Sequence, residues 1–165
     1  MIATVTSFTP TTQYRKSWSM LNWLRSLFGS KDEETPVTIE SLQGKWRMVS
    51  VGKNGNFAPP QFIANTKIFM LIDGDKYSVE TNGNIGDVGK IVLDTSKSPV
   101  CFDQVITGGS DAGKTHLGIV RFRDGLLENC QAEKGNPRPK DFNRNRKDNA
   151  SLASFRKQGQ TKTKT

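Results

Sequence analysis

A chain of 165 residues, 34% of them hydrophobic and 15 of them glycine, can fold as one small, turn-rich domain with tails; this composition speaks against a helical bundle. No apolar run approaches the roughly 20 residues that a helix needs to span a bilayer. The formal net charge of +8 is concentrated: residues 143–165 carry seven basic side chains against one acidic, whereas residues 36–142 carry 13 against 12. That distribution argues against a basic nucleic-acid groove on the folded body.

Residues 1–16 hold Thr, Ser and Pro without periodicity and read as a disordered tail. Over residues 17–28 the pattern becomes helical, because Met20, Leu24 and Leu27, and likewise Leu21, Leu24 and Phe28, recur at intervals of three and four. With Trp23 at the margin they form one apolar face, and Gly29 stands where a helix ends. Met20, Leu21, Trp23, Leu24, Leu27 and Phe28 are therefore candidate residues for docking a protein partner; a membrane-surface anchor and a helix packed on its own domain are the other readings. Asn22 and Arg25 break the stretch and no small-residue cleavage site is evident, so a secretory signal is not expected. Residues 1–35 are thus an N-terminal extension, and the expected location is cytoplasmic.

A charged linker over 30–36 leads to a short helical turn at 38–42, with Thr38 as its cap. Next comes Gly44-Lys45-Trp46. A Gly two residues before a Trp permits a sharp turn, after which the large ring can plug the end of a barrel; Gly44 and Trp46 are the candidate closure residues. From there alternation assigns Trp46, Met48 and Ser50 to one face of a strand and Arg47, Val49 and Val51 to the other. Pro59-Pro60 excludes a central strand at that point. Further strands are predicted over 67–72, 76–80, 90–93, 100–106, 116–123, 126–132 and 151–155. Their turns fall at Asp73-Gly74-Asp75, Asn82-Gly83-Asn84 and Asp124-Gly125. About eight short strands in hairpin succession make an all-β, up-and-down antiparallel barrel over 36–156, followed by a basic disordered tail over 157–165.

The two-residue turn Asp124-Gly125 also predicts a register. Phe122 should face Leu127, Arg121 should face Glu128, and Ile119 should face Cys130. Phe122 and Leu127 then share one face and the other four share the opposite one, where Arg121 and Glu128 are expected to form a wet pair. Trp46 is expected to be buried beside a basic side chain from a late strand.

Leu42-x-Gly44-x-Trp46 resembles the lipocalin opening motif. Three later pieces follow in order: Ile72-Asp73-Gly74-Asp75-Lys76-Tyr77; Gly113-Lys114-Thr115-x-Leu117-Gly118-Ile119; and Cys130-x-Ala132-x-x-Gly135-x-Pro137-Arg138-Pro139-x-x-Phe142. The ordered set spans roughly residues 38–156 and resembles a planctomycete-type, lipocalin-like domain family of uncharacterised function. The resemblance implies a lipocalin-like barrel and implies no particular ligand or reaction. Many members of that family look exported, so export stands as the alternative location.

Gly108-Gly109-Ser110-Asp111-Ala112-Gly113-Lys114-Thr115 matches the phosphate-cradling pattern G-x-x-x-x-G-K-T. That chemistry needs a helix after the loop, with its N-terminal amides aimed at the phosphates. Here His116-Leu117-Gly118-Ile119-Val120 follows, a β-rich run, so the segment reads as a hairpin loop. His116 is the only histidine and has no neighbouring ligand in sequence, so no metal is expected. Cys101 and Cys130 read as two buried free thiols in a reduced compartment, with a single bridge as the alternative. No serine sits in a nucleophile elbow, and Asp73, Asp75, Asp103 and Asp124 are turn or loop acids rather than a catalytic pair. Neither an enzyme nor a cofactor is expected. The basic segment from Asn143 to Lys147 and the basic residues beyond it read as a solvated, disordered end; apart from Phe155, assigned to a strand, no aromatic interleaves with these charges, so a weak, salt-sensitive contact with nucleic acid or an acidic partner is the other reading.

Two readings of function remain at this level. The barrel is a non-enzymatic binder of a small, mostly apolar ligand, or it is an interaction module or accessory subunit of a larger assembly, docking through residues 17–28. An open lumen favours the first and an interlocked one the second.

Overall fold

The computed structural model describes residues 35–159. The helix predicted over 17–28, with its six docking candidates, lies outside the described residues. So does the end of the basic tail.

The first element, α1 (Ile39–Leu42), forms because Thr38 caps it reciprocally. Thr38 Oγ1 accepts from Ser41 N at 3.1 Å and Ser41 Oγ accepts from Thr38 N at 2.9 Å, so two donors at the helix start are satisfied without tertiary help. Leu42 is fully buried. Gly44 then takes φ +113°, a left-handed value costly for any residue with a Cβ, and turns the chain into β1 (Gly44–Lys53). A short β2 (Asn56–Phe57) returns along β1. Pro59-Pro60 excludes a strand, as expected, and it also starts a helix that the sequence reading missed, α2 (Pro60–Asn65), with proline in its favoured first-turn position.

The remaining strands are β3 (Ile68–Asp73), β4 (Lys76–Thr81), β5 (Asn84–Asp94), β6 (Val100–Gly108), β7 (Thr115–His116), β8 (Gly118–Arg123), β9 (Leu126–Gln131) and β10 (Ser151–Lys157). The path β1-β3-β4-β5-β6-β8-β9-β10 is antiparallel throughout and closes where β10 pairs with β1. This is an eight-stranded antiparallel β-barrel. β7 and β8 keep one register against β6, Gln104 facing His116 and Val100 facing Val120, so they are one strand interrupted at Leu117. The register predicted for the last hairpin holds: Phe122 faces Leu127, Arg121 faces Glu128 and Ile119 faces Cys130. Asp124 and Gly125 both have positive φ, the conformation a two-residue turn needs to match the twist of its strands.

Two strands depart from expectation for local reasons. β5 starts at Asn84, not Lys90, because the positive-φ pair Asn82 and Gly83 returns the chain at once. Its glycines, poor strand formers by propensity, permit a close approach: a Cβ on Gly89 would sit 2.9 Å from the Tyr77 ring. In β1 the register against β10 shifts between Met48 and Ser50. The expected grouping of Ser50 with Trp46 and Met48 is therefore corrected: after a bulge at Val49, Val51 joins Met48 in lining the interior. The bulge falls where β1 leaves β3, which it pairs only over residues 44–47, and curls to close the barrel against β10.

The core fills the end of the lumen where β1 begins, with Trp46, Met70, Ile72, Tyr77, Phe102, Phe122, Leu127 and Phe155 among its buried members. A second cluster, Ile119, Cys130, Ala150 and Leu152, lies on the opposite face of β8–β10, flanked by Phe57 and Phe142. The segment 132–150 covers this outer face, which places Arg144 over the Phe57 ring at 3.8 Å. The basic run 143–147 is therefore part of the fold and not a solvated tail.

A polar cavity in the barrel lumen

The two ends of the lumen differ. At the start of β1, Trp46 is 2% exposed and its Nε1 donates to Leu42 O at 2.7 Å. Its ring lies 5.9 Å from that of Phe122, and Lys157 Nζ stands 5.2 Å from its centroid. Gly44 and Trp46 occupy the closure positions expected of them, and Lys157 is the expected basic neighbour from a late strand. Lys157 itself belongs to β10, and Gln158 N donates to Lys45 O at 2.8 Å, so the barrel extends past residue 156.

Toward the other end the lumen holds a cavity of about 180 Å³. Met48, Val51, Ile68, Met70, Val79 and Phe155 supply its apolar wall, and Gln104, Asn129, Gln131 and Ser151 its polar one. No ionisable side chain lines it. It far exceeds the ~10–15 Å³ a single water needs, matches the ~150 Å³ that admits a benzene-sized molecule, and falls short of the ~300 Å³ of drug-sized pockets.

The polar wall is half satisfied. Gln131 Nε2 donates to Gln104 Oε1. Asn129 is 5% exposed, and its Oδ1 is buried without a hydrogen-bond partner. Its cross-strand neighbours explain this: Val120 on β8 and Ala153 on β10 offer no side-chain donor. A second buried, unpartnered atom, His116 Nε2, belongs to the residue facing Gln104 and lies 4.0 Å from Asp111 Oδ2. Burial, then the negative charges of Asp87 and Asp111, push the Tyr77 hydroxyl up to about 12, so it stays a neutral donor. Asn129, Gln104 and Gln131 were not singled out from sequence, yet a signal existed. The hairpin register puts Leu127, Asn129 and Gln131 on the face of Phe122, and polar residues at inward positions are unusual unless paired.

Two larger and more open hollows, about 410 and 480 Å³, lie apart from this cavity. The second is walled by Arg138 and Arg146, whose charges are already committed. Arg138 forks onto Asp103, Nη2 to Oδ2 at 2.9 Å, and donates to Gly118 O at 2.6 Å. Arg146 meets Asp148 through Nε at 2.7 Å and Nη2 at 2.6 Å, and Nη1 reaches Asp141 O at 2.9 Å and Cys130 Sγ at 2.8 Å. These contacts fasten 132–150 to the barrel. Hydrogen bonding to Arg146 holds the Asp148 carboxyl down at about 2, whereas burial pushes the Cys130 thiol up to about 11 despite the nearby guanidinium.

The other sequence motifs resolve plainly. The segment matching the phosphate-loop pattern connects β6 to β7, leads into a strand instead of a helix, and has Lys114 paired with Asp111. Cys101 and Cys130 are both free; Cys130 is buried, but Cys101 is partly exposed, which corrects the expectation of two buried thiols. Among the described residues no cluster of three or more His, Cys, Asp or Glu side chains could hold a metal ion, and no helix is long and apolar enough to cross a membrane. No family model, curated protein or solved structure matches the chain.

Proposed function

We propose that this protein is a non-enzymatic, lipocalin-like barrel that holds one small, neutral, mostly apolar molecule in the unfilled half of its lumen. The observation that carries this reading is the cavity of about 180 Å³, walled mainly by aliphatic and thioether groups and free of charged side chains. A charged ligand would lose its hydration there without gaining a counter-charge. An apolar body gains from every square ångström removed from water, and thioethers adapt to its shape.

The test uses Met48 and Met70, which both line the cavity; the chain has only two other methionines, Met1 and Met20. In protein labelled at the methionine methyl carbons, toluene should shift the Met48 and Met70 signals saturably and leave the other two in place. An unchanged spectrum up to the solubility limit of toluene would defeat the proposal.

The densely packed half of the lumen favours a second reading, in which the barrel is an interaction module docking through residues 17–28. Native mass spectrometry of the protein isolated from its source separates the two. A retained small molecule supports the first, and a stoichiometric partner chain supports the second.

A further inference from the structure

We infer that the amide pair of Gln104 and Gln131 selects ligands whose polar group both accepts and donates a hydrogen bond, a hydroxyl or carboxamide on an apolar body; this rests on the reading of the cavity as a ligand site. Both side chains line the cavity, Gln104 from β6 and Gln131 from β9. They meet because the strand between them places Gly118 opposite Gln131, where a Cβ would lie 3.0 Å from Gln131 Cγ. One bond joins them, from Gln131 Nε2 to Gln104 Oε1. The side-chain atoms that are both unpartnered and sealed from solvent are His116 Nε2 and Asn129 Oδ1. Gln104 Nε2 and Gln131 Oε1, which make no hydrogen bond among the described residues, are not sealed, and the surface they keep faces the lumen that their side chains line.

Two amides joined by a single bond leave one donor group and one acceptor group free, whichever side chain supplies each. A hydroxyl or a carboxamide answers both. An ether or a ketone answers the donor alone, and a hydrocarbon takes both groups from water with nothing in exchange. Because no ionisable side chain lines the wall, the ligand's polar group must be neutral. Gln104 and Gln131 are the specificity-determining residues in this arrangement, and the apolar wall supplies the bulk of the affinity.

The experiment uses the full chain, the Met48 and Met70 methyl signals and probes of equal size that differ in hydrogen bonding. Benzyl alcohol donates and accepts, anisole only accepts, and ethylbenzene does neither. Combining Gln104→Leu with Gln131→Leu removes both partners at once and so strands neither. In that double variant the dissociation constant of benzyl alcohol, relative to that of ethylbenzene, should rise about tenfold, and that of anisole should rise less. The unsubstituted protein supplies an independent readout should the variant not fold. There the side-chain amide protons of Gln104 or Gln131 should lie further downfield with benzyl alcohol than with ethylbenzene, the ring current being common to both. If no probe perturbs Met48 and Met70, the ligand-site reading falls and the inference with it. Should the probes bind with the benzyl alcohol ratio unchanged, with anisole losing as much, or with the amide protons alike in both complexes, the lumen is a ligand site without this selection and only the inference is overturned.

Discussion

Trp46 Nε1 and the carbonyl oxygen of Leu42 meet at 2.7 Å, so the indole that plugs the barrel also satisfies the last carbonyl of α1. One side chain thus couples the entry helix to the lumen. The ring is 2% exposed, and a void in its place would be lined by Leu42, Phe122 and their neighbours. Trp46→Ala should cost about 3–5 kcal/mol in denaturant unfolding. Trp46→Phe keeps most of the burial but strands the Leu42 carbonyl, and should cost about 1–3 kcal/mol. A loss below about 1 kcal/mol for the alanine variant would show that the ring does not close the barrel.

The chain end contributes to the same plug. Stopping translation after Arg156 removes the Lys157 ammonium, 5.2 Å from the indole centroid, and the bond from Gln158 N to Lys45 O. Relative to a chain ending at Gly159, it should lose about 1–2 kcal/mol. Equal thermal midpoints for the two lengths would contradict the extension of β10 through Lys157.

Arg121 and Glu128 form a covered pair, not the wet one that their strand positions suggest. Arg121 Nε lies 2.7 Å from Glu128 Oε2, the Glu128 side chain is 11% exposed, and the guanidinium stacks 4.2 Å from the Phe142 centroid. A double-mutant cycle should give a coupling of about 1.5–3 kcal/mol, above the ~0.2–1 kcal/mol of an exposed cross-strand pair. A value within the lower range would mean that Phe142 does not shield the pair in solution.

Asp148 gives the protein an acid-sensitive fastening. Its folded carboxyl titrates at about 2 against an ordinary 3.8, because Arg146 hydrogen-bonds the ionised form. The lowered value means that its stabilisation is complete above about pH 4 and disappears as pH falls through about 2. Since the carboxylate is half exposed, solvent screening reduces the effect to roughly 1 kcal/mol. Asp148→Asn, weaker at every pH because Arg146 loses its partner, should lose less additional stability between pH 4 and pH 2. Parallel pH profiles for the two proteins would rule this origin out.

Cys130 should resist alkylation at pH 8 in the native protein while Cys101 reacts. The Cys130 thiol is buried beneath Arg146 and its pKa is pushed up to about 11, whereas Cys101 is partly exposed. Peptide mapping after brief treatment with iodoacetamide reads both sites. Equal labelling would show that segment 132–150 lifts off the barrel.

The last hairpin was readable because its information is local. Asp124-Gly125 admits a two-residue turn, the turn sets the register, and the register carries Leu127, Asn129 and Gln131 to the face of Phe122. Thr38, Gly44 and Trp46 were readable for the same reason, since a cap, a positive φ and a strand face each depend on a few adjacent residues. Ser50 and Val51 could not be placed that way. Their faces are reversed by a bulge that exists only because β1 must bend from β3 to β10, a strand about 100 residues further along the chain. The path of β5 through Gly89 likewise answers to Tyr77 and Val105 across two strand boundaries. The cavity is the least local feature. It is the volume left when side chains from β1, β3, β4, β6, β9 and β10 have been packed, and the unpartnered, buried carbonyl of Asn129 is a property of the two strands that flank it. Turn chemistry and alternation act over neighbours in the chain and so are written in the sequence, whereas vacant volume and unmet hydrogen bonds arise only between residues that the closed barrel brings together.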